Sequence, residues 1–272
     1  MPELPEVETI KKGLTPHLIG RTIQSTTIRQ HHLRWPIDPK LDQKIAGQMI
    51  TAIWRRGKYL VTDLQAGHLI IHLGMSGSLQ IKQVLIPPNK HDHIDIHLDN
   101  ARIIRFHDPR RFGAIIYTPE PAEMHPLLSR LGIEPLLSEF NGNTLFFLTR
   151  NRKTNIKQLI MNSHLIAGIG NIYANEALFQ AGIHPAAIAG SLTLSRCNCL
   201  AASIRNILLR AIDLGGSTLR DFVDGEGKPG YFQQEYKVYG RLQKSCTKCK
   251  TPINMKHQNG RSSFFCPHCQ KL

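Results

Sequence analysis

The first twenty residues place apolar side chains at the spacing of one helix face: Val7, Ile10, Leu14 and Leu18. Pro5 suits the first turn of a helix, where its missing N–H and its fixed backbone angle are tolerated. Glu6 and Glu8 complement the positive end of the helix dipole. The segment therefore predicts an N-terminal helix.

From residue 20 to about residue 118, apolar and polar positions alternate with the period of a β-strand. The alternation is clearest in residues 94–98 and 103–107, and Asp99-Asn100 between these two runs is a turn signal. Short strands separated by turn signals are typical of antiparallel sheets. The pattern predicts a β-sandwich or a barrel for this part of the chain.

Between about residues 125 and 215 the apolar positions recur at helical spacing instead. Separate helices are predicted near residues 127–131, 145–148, 156–160 and 174–178, followed by a long helix that ends at Gly215-Gly216. Cys197 shares the apolar face of the long helix, which is more typical of a core residue than of a metal ligand. Gly168 and Gly170 form a turn that resembles a phosphate-binding helix start, a motif too short to be specific. Residues 216–235 are rich in Gly, Asp and Lys and indicate a mobile loop.

Charge separates this sequence from an average globular protein. The 272 residues contain 34 Lys and Arg against 20 Asp and Glu, a net charge of +14, which suggests a polyanionic partner such as nucleic acid. Residues 228–272 alone carry nine basic side chains and one acidic one.

No apolar stretch approaches the ~20 residues of a membrane span. The N-terminal residues are acidic where a signal peptide is basic, so we expect a cytoplasmic protein with no membrane partner.

Four of the six cysteines form two CxxC pairs separated by sixteen residues: Cys246, Cys249, Cys266 and Cys269. Each CxxC turn directs two sulfur atoms toward one point, which predicts a four-thiolate zinc site. Paired disulfides are the alternative, less expected in a reducing cytosol. Asn259-Gly260 in the insert is a strong hairpin-turn signal and places Arg261 at or beside the tip of a β-hairpin. Four thiolates leave no open position for catalysis, so the predicted zinc ion is structural.

These signals together predict an α+β multidomain protein. We expect an N-terminal helix with an antiparallel β-sandwich in residues 1–125, a helical domain in residues 126–227, and a zinc-ribbon hairpin in residues 228–272. A second metal site is an alternative use of one strand face, which carries His91, His93 and His97 with no cysteine nearby.

The N-terminus contains a candidate nucleophile. A small residue after Met1 favours removal of the initiator methionine, which would leave Pro2 with a free secondary amine. An α-amino group titrates near ~8 and a lysine near ~10.4, so the terminal amine has the larger unprotonated fraction at neutral pH and is able to form a Schiff base. Glu3 and Glu6 are nearby carboxyls that are able to transfer a proton. The alternative is that Pro and Glu serve only as ordinary helix-start residues.

Six motifs follow one another from residue 2 to about residue 270: Pro2-Glu-Leu-Pro-Glu-Val-Glu8, Arg56-Gly-Lys58-Tyr59, His72-Leu-Gly-Met75-Ser-Gly77, Asp108-Pro-Arg110-Arg-Phe112-Gly113, Gly168-Ile-Gly-Asn171-Ile-Tyr-Ala-Asn-Glu176 and Gly260-Arg261-Ser-Ser-Phe-Phe-Cys266-Pro-His-Cys269. Their content and order resemble the bacterial formamidopyrimidine-DNA glycosylases. The resemblance implies a glycosylase and abasic-site lyase for oxidised purines in DNA, with a helix-two-turns-helix domain and one zinc ion. The N-terminal motif is more similar to this branch than to the related endonuclease VIII branch.

The resemblance also implies roles for residues of the reacting centre. Pro2 would attack C1′ of the damaged nucleotide and expel the base, with Glu3 as the acid that assists opening of the sugar ring. Lys58 would donate a proton or contact phosphate in the β-elimination, and Arg261 would do so in the δ-elimination. Glu6 is a further carboxyl at the reacting centre.

The resemblance assigns the DNA contacts as well. Met75, Arg110 and Phe112 would fill the vacancy left by the extruded base. Met75 and Phe112 would otherwise be core candidates, but neighbouring glycines and the Asp108-Pro109 turn signal favour exposed loops. Phosphate contacts would come from His91, Arg152, Lys153, Lys157 and Asn171. In the family, the loop near residues 217–235 closes over the extruded purine.

Two other functions remain open from the sequence. An endonuclease VIII-like glycosylase would act on oxidised pyrimidines, and Met75 with Phe112 argues against it. A zinc-ribbon DNA-binding protein without catalysis is the second alternative, and the intact set Pro2, Glu3, Lys58 and Arg261 argues against it. We expect double-stranded DNA containing oxidised bases as the partner, and a monomer in the cytoplasm that associates with the nucleoid when bound to DNA.

Overall fold

The computed structural model describes residues 1–217 and 231–272. The described residues form seven α-helices: α1 (Leu4–Leu18), α2 (Leu41–Ile45), α3 (Pro126–Ser129), α4 (Gly142–Thr149), α5 (Ile156–Ile160), α6 (Asn171–Gln180) and α7 (Leu194–Asp213). They also form ten strands: β1 (Ile23–Ile28), β2 (Ile50–Arg56), β3 (Tyr59–Leu64), β4 (His68–His72), β5 (Ser78–Gln83), β6 (Asp92–Leu98), β7 (Arg102–His107), β8 (Ala114–Thr118), β9 (Asn254–Gln258) and β10 (Arg261–Phe265). None of the described helices combines the length and the apolar character that crossing a membrane requires. The loop predicted over residues 216–235 falls mainly on residues 218–230, which lie outside the described residues.

The described chain divides into two compact units. The first comprises Met1–Arg130 and Leu214–Tyr231, and the second comprises Leu131–Asp213 and Phe232–Leu272. The division into domains of residues 1–125, 126–227 and 228–272 stays a prediction.

The first unit contains two antiparallel sheets of four strands each. Their strand orders are β1-β6-β7-β5 and β2-β3-β4-β8. In the first sheet Ile96 of β6 pairs with Ile104 of β7, and both side chains are buried. The apolar face of α1 lies in the same core, because Val7, Ile10, Leu14 and Leu18 are each at most 1% exposed. Full burial of one such side chain contributes about 1.5–3 kcal/mol, so the predicted helix face is a main part of this core.

The second unit contains the helices α4, α5, α6 and α7 together with the hairpin of β9 and β10. Cys197 is fully buried on α7, as predicted for a core residue. Asn259 and Gly260 join the two strands with φ of 51° and 70°, the positive values that a tight hairpin turn requires. Phe179 of α6 shares one apolar cluster with Cys246 and Cys266, so the cysteine hairpin packs on the helices of its own unit. The predicted α+β class, with a sandwich, a helical part and a four-cysteine hairpin, is confirmed.

Candidate functional site

The N-terminal residues of the first unit are buried at the start of α1. Pro2 is buried, and Glu3 and Glu6 are each 2% exposed. The Glu3 N–H donates to Oε2 of Glu6 at 2.8 Å, one half of a capping box that fixes the first helical turn. Oε1 of Glu6 accepts the N–H of Ser217 at 2.8 Å. One buried carboxylate therefore joins the residues beside Pro2 to the last described residue before position 218.

A recess of about 350 Å³ in the first unit is lined by Met1, Arg34, His72, Gly74, Met75 and Phe112. Met75 is 39% exposed and Phe112 is 42% exposed, although both are large apolar side chains. Large apolar side chains that are exposed together at one recess are typical of a binding surface. The sequence expectation that both residues lie on exposed loops agrees with this placement.

Burial and neighbouring positive charges both act on the histidine at the end of β4. Burial, together with the cations Lys58 and Arg34, lowers the pKa of His72 from 6.5 to about 4. The imidazole is therefore neutral at pH 7, and its Nδ1 accepts the N–H of Gly74 at 3.0 Å. Nδ1 as acceptor leaves the ring proton on Nε2, so His72 is a neutral hydrogen-bond donor beside Lys58.

The lowered pKa of His72 predicts a pH dependence of stability. Between about pH 4 and pH 6.5 the unfolded chain binds a proton that the folded chain excludes, so stability falls as the pH decreases through this range. The full loss below pH 4 is at most about 3 kcal/mol. Urea unfolding at pH 7 and at pH 4.5 measures the part of this loss that falls between those two pH values. His72→Gln should lose less stability than wild type on acidification, with exposed His32→Gln as the control variant. Equal losses in wild type and His72→Gln would show that the prediction is wrong.

The loop after β7 carries Arg110 and Phe112 side by side. The Arg110 guanidinium carbon lies 4.9 Å from the centroid of the Phe112 ring, and both side chains are exposed. His91, the predicted phosphate contact of this unit, is half-buried, and its ring meets His93 and His107 edge to face at 6.3 and 6.0 Å. The alternative of a second metal site at His91, His93 and His97 is wrong: among the described residues, only the four cysteines bring three or more ligand atoms together.

In the second unit, Lys157 is buried and hydrogen-bonded to the hairpin of β9 and β10. It is 3% exposed, and its ammonium donates to the Ser262 carbonyl at 2.7 Å and to the Ser263 hydroxyl at 2.8 Å. Arg152 and Lys153, five and four residues earlier, are exposed. Of the three predicted phosphate contacts in this segment, Arg152 and Lys153 are therefore accessible to a ligand, whereas Lys157 is buried and holds β10 in place.

The hairpin tip and α5 border a recess of about 480 Å³. The described residues that line it include Arg152, Lys157 and the exposed Arg261, but no carboxylate. Amide side chains form much of the remaining wall, among them Gln258, whose buried Oε1 accepts no hydrogen bond from the described part of the chain. A wall of cations and amides without acids favours an anionic ligand such as a phosphate group.

Helix α6 connects the predicted phosphate contact Asn171 with the hairpin. Asn171 is the first residue of α6, after Gly170 as its N-cap. The amide nitrogen of Asn175 donates to the Asn171 carbonyl at 2.6 Å, and its amide oxygen accepts the Phe264 N–H at 2.7 Å. Asn175 therefore holds β10 at a fixed distance from the helix start, where backbone N–H groups favour anions.

Glu176, the next residue of α6, is a buried carboxylate with three backbone partners. It accepts the N–H groups of Lys237, Val238 and Tyr239 at 2.9, 3.0 and 2.8 Å. Burial raises the pKa of Glu176, and the three hydrogen bonds oppose that rise. The Tyr239 ring in turn meets Phe264 of β10 at 5.3 Å, so this segment supports the hairpin from its other side.

The geometry of the four cysteines fits zinc. Their sulfur atoms all lie within 4.8 Å of one another, with Cys249 to Cys266 at 3.4 Å and Cys246 to Cys269 at 3.9 Å. A tetrahedral zinc ion with bonds of about 2.3 Å separates its sulfur ligands by about 3.8 Å. The Lys248 N–H donates to the Cys246 sulfur at 3.4 Å, as expected for a thiolate ligand. The four cysteines therefore hold one structural zinc ion, and the cofactor prediction is confirmed.

Several residues of these sites were not identified from the sequence. Arg34 carries no motif signal, and only the structure places it at the recess with Met75. His72 and Asn175 lie inside recognised motifs, but the motif sequences do not show that His72 accepts the Gly74 N–H or that Asn175 accepts the Phe264 N–H. Their roles depend on contacts between distant parts of the chain.

Comparison with known proteins agrees with this architecture along the whole chain. Residues 1–115 match the family model of the formamidopyrimidine-DNA glycosylase N-terminal domain, residues 131–223 match that of the formamidopyrimidine-DNA glycosylase H2TH domain, and residues 244–272 match that of the zinc finger found in FPG and IleRS. Proteins named formamidopyrimidine-DNA glycosylase from Laribacter hongkongensis (strain HLHK9) and Escherichia coli O6:K15:H31 (strain 536 / UPEC) are 50% and 48% identical to the chain. Each of these alignments covers 100% of both sequences.

Solved structures give the same result. The crystal structure of the MutM (Fpg) protein from Thermus thermophilus has a TM-score of 0.89 at 37% identity, covering 99% of this chain and 98% of that one. Wild-type Lactococcus lactis Fpg (MutM) in complex with DNA containing N7-benzyl-Fapy-dG has a TM-score of 0.90 at 33% identity, covering 100% of each chain.

Proposed function

The chain belongs to the formamidopyrimidine-DNA glycosylase family, and from this membership we propose that it excises oxidised purines from double-stranded DNA in base excision repair. Its substrates are 8-oxoguanine and formamidopyrimidines, and it cleaves the strand as an abasic-site lyase. The observation that carries the proposal is the placement of Pro2 and Glu3. Both are buried at the start of α1, in the unit that also presents Met75 and Phe112 at an open recess.

The reaction begins with the Pro2 amine after Met1 has been removed. The nitrogen lone pair forms a bond to C1′ of the damaged nucleotide, and the purine leaves with the electrons of the glycosidic bond and takes up a proton. Glu3 supplies the proton that opens the sugar ring, which gives an iminium between Pro2 and C1′. A base then removes a proton from C2′, and the C3′–O bond breaks with loss of the 3′ phosphate. A second elimination then removes a proton from C4′, and the C5′–O bond breaks with loss of the 5′ phosphate.

Lys58, Glu6 and Arg261 support these steps in the proposal. Lys58 acts on the β-elimination as a proton donor or phosphate contact, and its positive charge helps to keep His72 neutral. Glu6 keeps both carboxylate oxygens on backbone donors, which supports a positioning role at the N-terminus besides any proton transfer. Arg261 contacts phosphate in the δ-elimination, from the first position of β10.

Two sets of residues bind DNA in the proposal: one set inserts into the base stack, and the other contacts the phosphates. Extrusion of a base costs a few kcal/mol of stacking and pairing, which Met75, Arg110 and Phe112 offset by filling the vacancy. The phosphate contacts are His91, Arg152, Lys153, Lys157 and Asn171. Lys157 contributes mainly by fixing the hairpin, because its ammonium already donates to two hairpin oxygens. The protein acts as a monomer in the cytoplasm and associates with the nucleoid when bound to DNA.

The function is tested by offering matched duplexes to the full-length protein. One duplex carries 8-oxoguanine opposite cytosine, the second carries thymine glycol opposite adenine, and the third is undamaged. Faster strand cleavage of the 8-oxoguanine duplex supports the proposal. Preferential cleavage at thymine glycol would favour an endonuclease VIII-like enzyme, and DNA binding without cleavage of any duplex would favour a zinc-ribbon protein without catalysis.

A further inference from the structure

The three insertion residues lie on two loops that are far apart in sequence. The Met75 loop (residues 73–77) links β4 to β5, and the Arg110 loop (residues 108–113) links β7 to β8. A wedge that enters one base step needs all three side chains in register at the same time. The two loops must therefore be held together by something other than chain connectivity.

Asp108 and Ser76 form that link. Asp108 is fully buried, its Oδ1 accepts the Ser76 hydroxyl at 2.8 Å, and its Oδ2 accepts the Gly113 N–H at 2.8 Å. Ser76 is also buried, with 4% of its surface exposed. Its hydroxyl oxygen accepts the Arg110 N–H at 3.2 Å. Hydrogen bonds to a carboxylate are stronger than neutral ones, and burial strengthens them further. Ser76 thus bonds the Met75 loop to Asp108 and Arg110, and Asp108 in turn holds Gly113 at the other end of the Arg110 loop.

The Asp108 backbone is fixed as firmly as its side chain. Its N–H donates to the His91 carbonyl at 3.0 Å, and its carbonyl lies 2.8 Å from Nε2 of His93 and accepts the Arg111 N–H at 3.2 Å. Arg111 has a φ of 56°, a left-handed conformation that is uncommon outside glycine. Arg111 lies between Arg110 and Phe112, whose guanidinium and ring are in contact.

The two loops also touch at their backbones. A Cβ on Gly74, which has a φ of +64°, would lie 2.4 Å from the carbonyl carbon of Phe112. No side chain fits in that space, so only glycine allows this close approach. The loop that carries Met75 is therefore packed directly against the residue that presents the aromatic wedge.

We propose that Ser76 and Asp108 are positioning residues that hold the two loops as one rigid wedge, so that Met75, Arg110 and Phe112 enter the DNA in a single register. The inference rests on the proposed function. The Ser76 bond lies at the loops and outside the apolar core that holds the two sheets together, so its loss should disturb insertion more than folding.

Ser76→Ala tests the proposal with two substrates. The first is a duplex with 8-oxoguanine opposite cytosine, which requires insertion, and the second is single-stranded DNA with an abasic site, which does not. Ser76→Ala should cleave the duplex about tenfold more slowly, the effect of one lost hydrogen bond. Cleavage of the single strand should change less than about threefold. A 2-aminopurine next to the lesion should show a slower fluorescence rise, because it reports the unstacking that insertion causes.

Ser78→Ala is the matched control, since Ser78 is 1% exposed and begins β5 directly after the same loop. It should behave as wild type in all three measurements. Asp108→Asn keeps the shape but offers one acceptor oxygen instead of two, and it should share the selective defect of Ser76→Ala. Equal loss on both substrates, or no loss on either, would overturn the positioning role. Failure of wild type to cleave either substrate would instead overturn the proposed function.

Discussion

Replacing Pro2 by glycine is expected to lower the yield of the borohydride-trapped protein–DNA adduct at least about 100-fold. A secondary amine gives an iminium that carries no N–H and is therefore always cationic. A primary amine gives an imine that withdraws electrons well only when it is protonated. The glycine variant loses both the stronger nucleophile and the permanent electron sink. The yield is measured on a duplex with 8-oxoguanine opposite cytosine, as the fraction of DNA that migrates with protein after reduction.

Pro5→Ala is the control for this variant, because Pro5 is buried in the same first turn of α1. It should trap as wild type does once thermal unfolding has shown that both variants are folded. A Pro2→Gly protein that traps as efficiently as wild type would exclude the proline mechanism. Loss of trapping in Pro5→Ala as well would mean that the first turn, and not the amine, determines the yield.

Removal of the zinc ion is expected to abolish the contribution of the hairpin to DNA binding. Two strands of five residues are not stable alone in water, and binding of a structural zinc ion contributes about 10–16 kcal/mol to folding. Without the ion, Cys246 and Cys266 leave the apolar cluster that they share with Phe179. Arg261 then loses its fixed position, and both affinity for lesion DNA and strand cleavage should fall by about two orders of magnitude.

Cys266→Ser is the variant for this prediction, and Cys199→Ser is its control because Cys199 is exposed and outside the cysteine cluster. Released zinc is measured with a colorimetric chelator after denaturation, and affinity is measured by fluorescence anisotropy. Cys199→Ser should keep both zinc and affinity. Normal affinity and cleavage in a Cys266→Ser protein shown to lack zinc would contradict the assigned role of the hairpin.

Elements with local signals were predictable from the sequence. The helical spacing of Val7 to Leu18 corresponds to α1, and the Asp99-Asn100 signal falls between β6 and β7. Asn259-Gly260 lies at the turn of the cysteine hairpin, because a tight turn with two positive φ angles selects those residue types. In each case a few neighbouring residues determine the local geometry, so the prediction does not need to know the rest of the fold.

Contacts between distant residues were not predictable in this way. The family resemblance implies a phosphate contact for Lys157, but does not show that its ammonium donates to Ser262 and Ser263, more than one hundred positions later. Glu6 looks like a proton donor, but the structure occupies its two oxygens with the N–H groups of Glu3 and Ser217. A charged side chain is able to face solvent, contact a ligand or bond to a buried backbone group. The tertiary structure determines which of these partners it has, so the sequence alone does not show it.

In the proposed reaction the amine of Pro2 forms the covalent bond to DNA. This step is tested most directly by peptide mapping of the borohydride-reduced adduct after nuclease and trypsin digestion. If Pro2 is the nucleophile, the added sugar mass lies on the peptide Pro2–Lys11, and this peptide lacks Met1. A sugar mass on a peptide containing Lys58, with Pro2–Lys11 unmodified, would exclude Pro2 as the nucleophile.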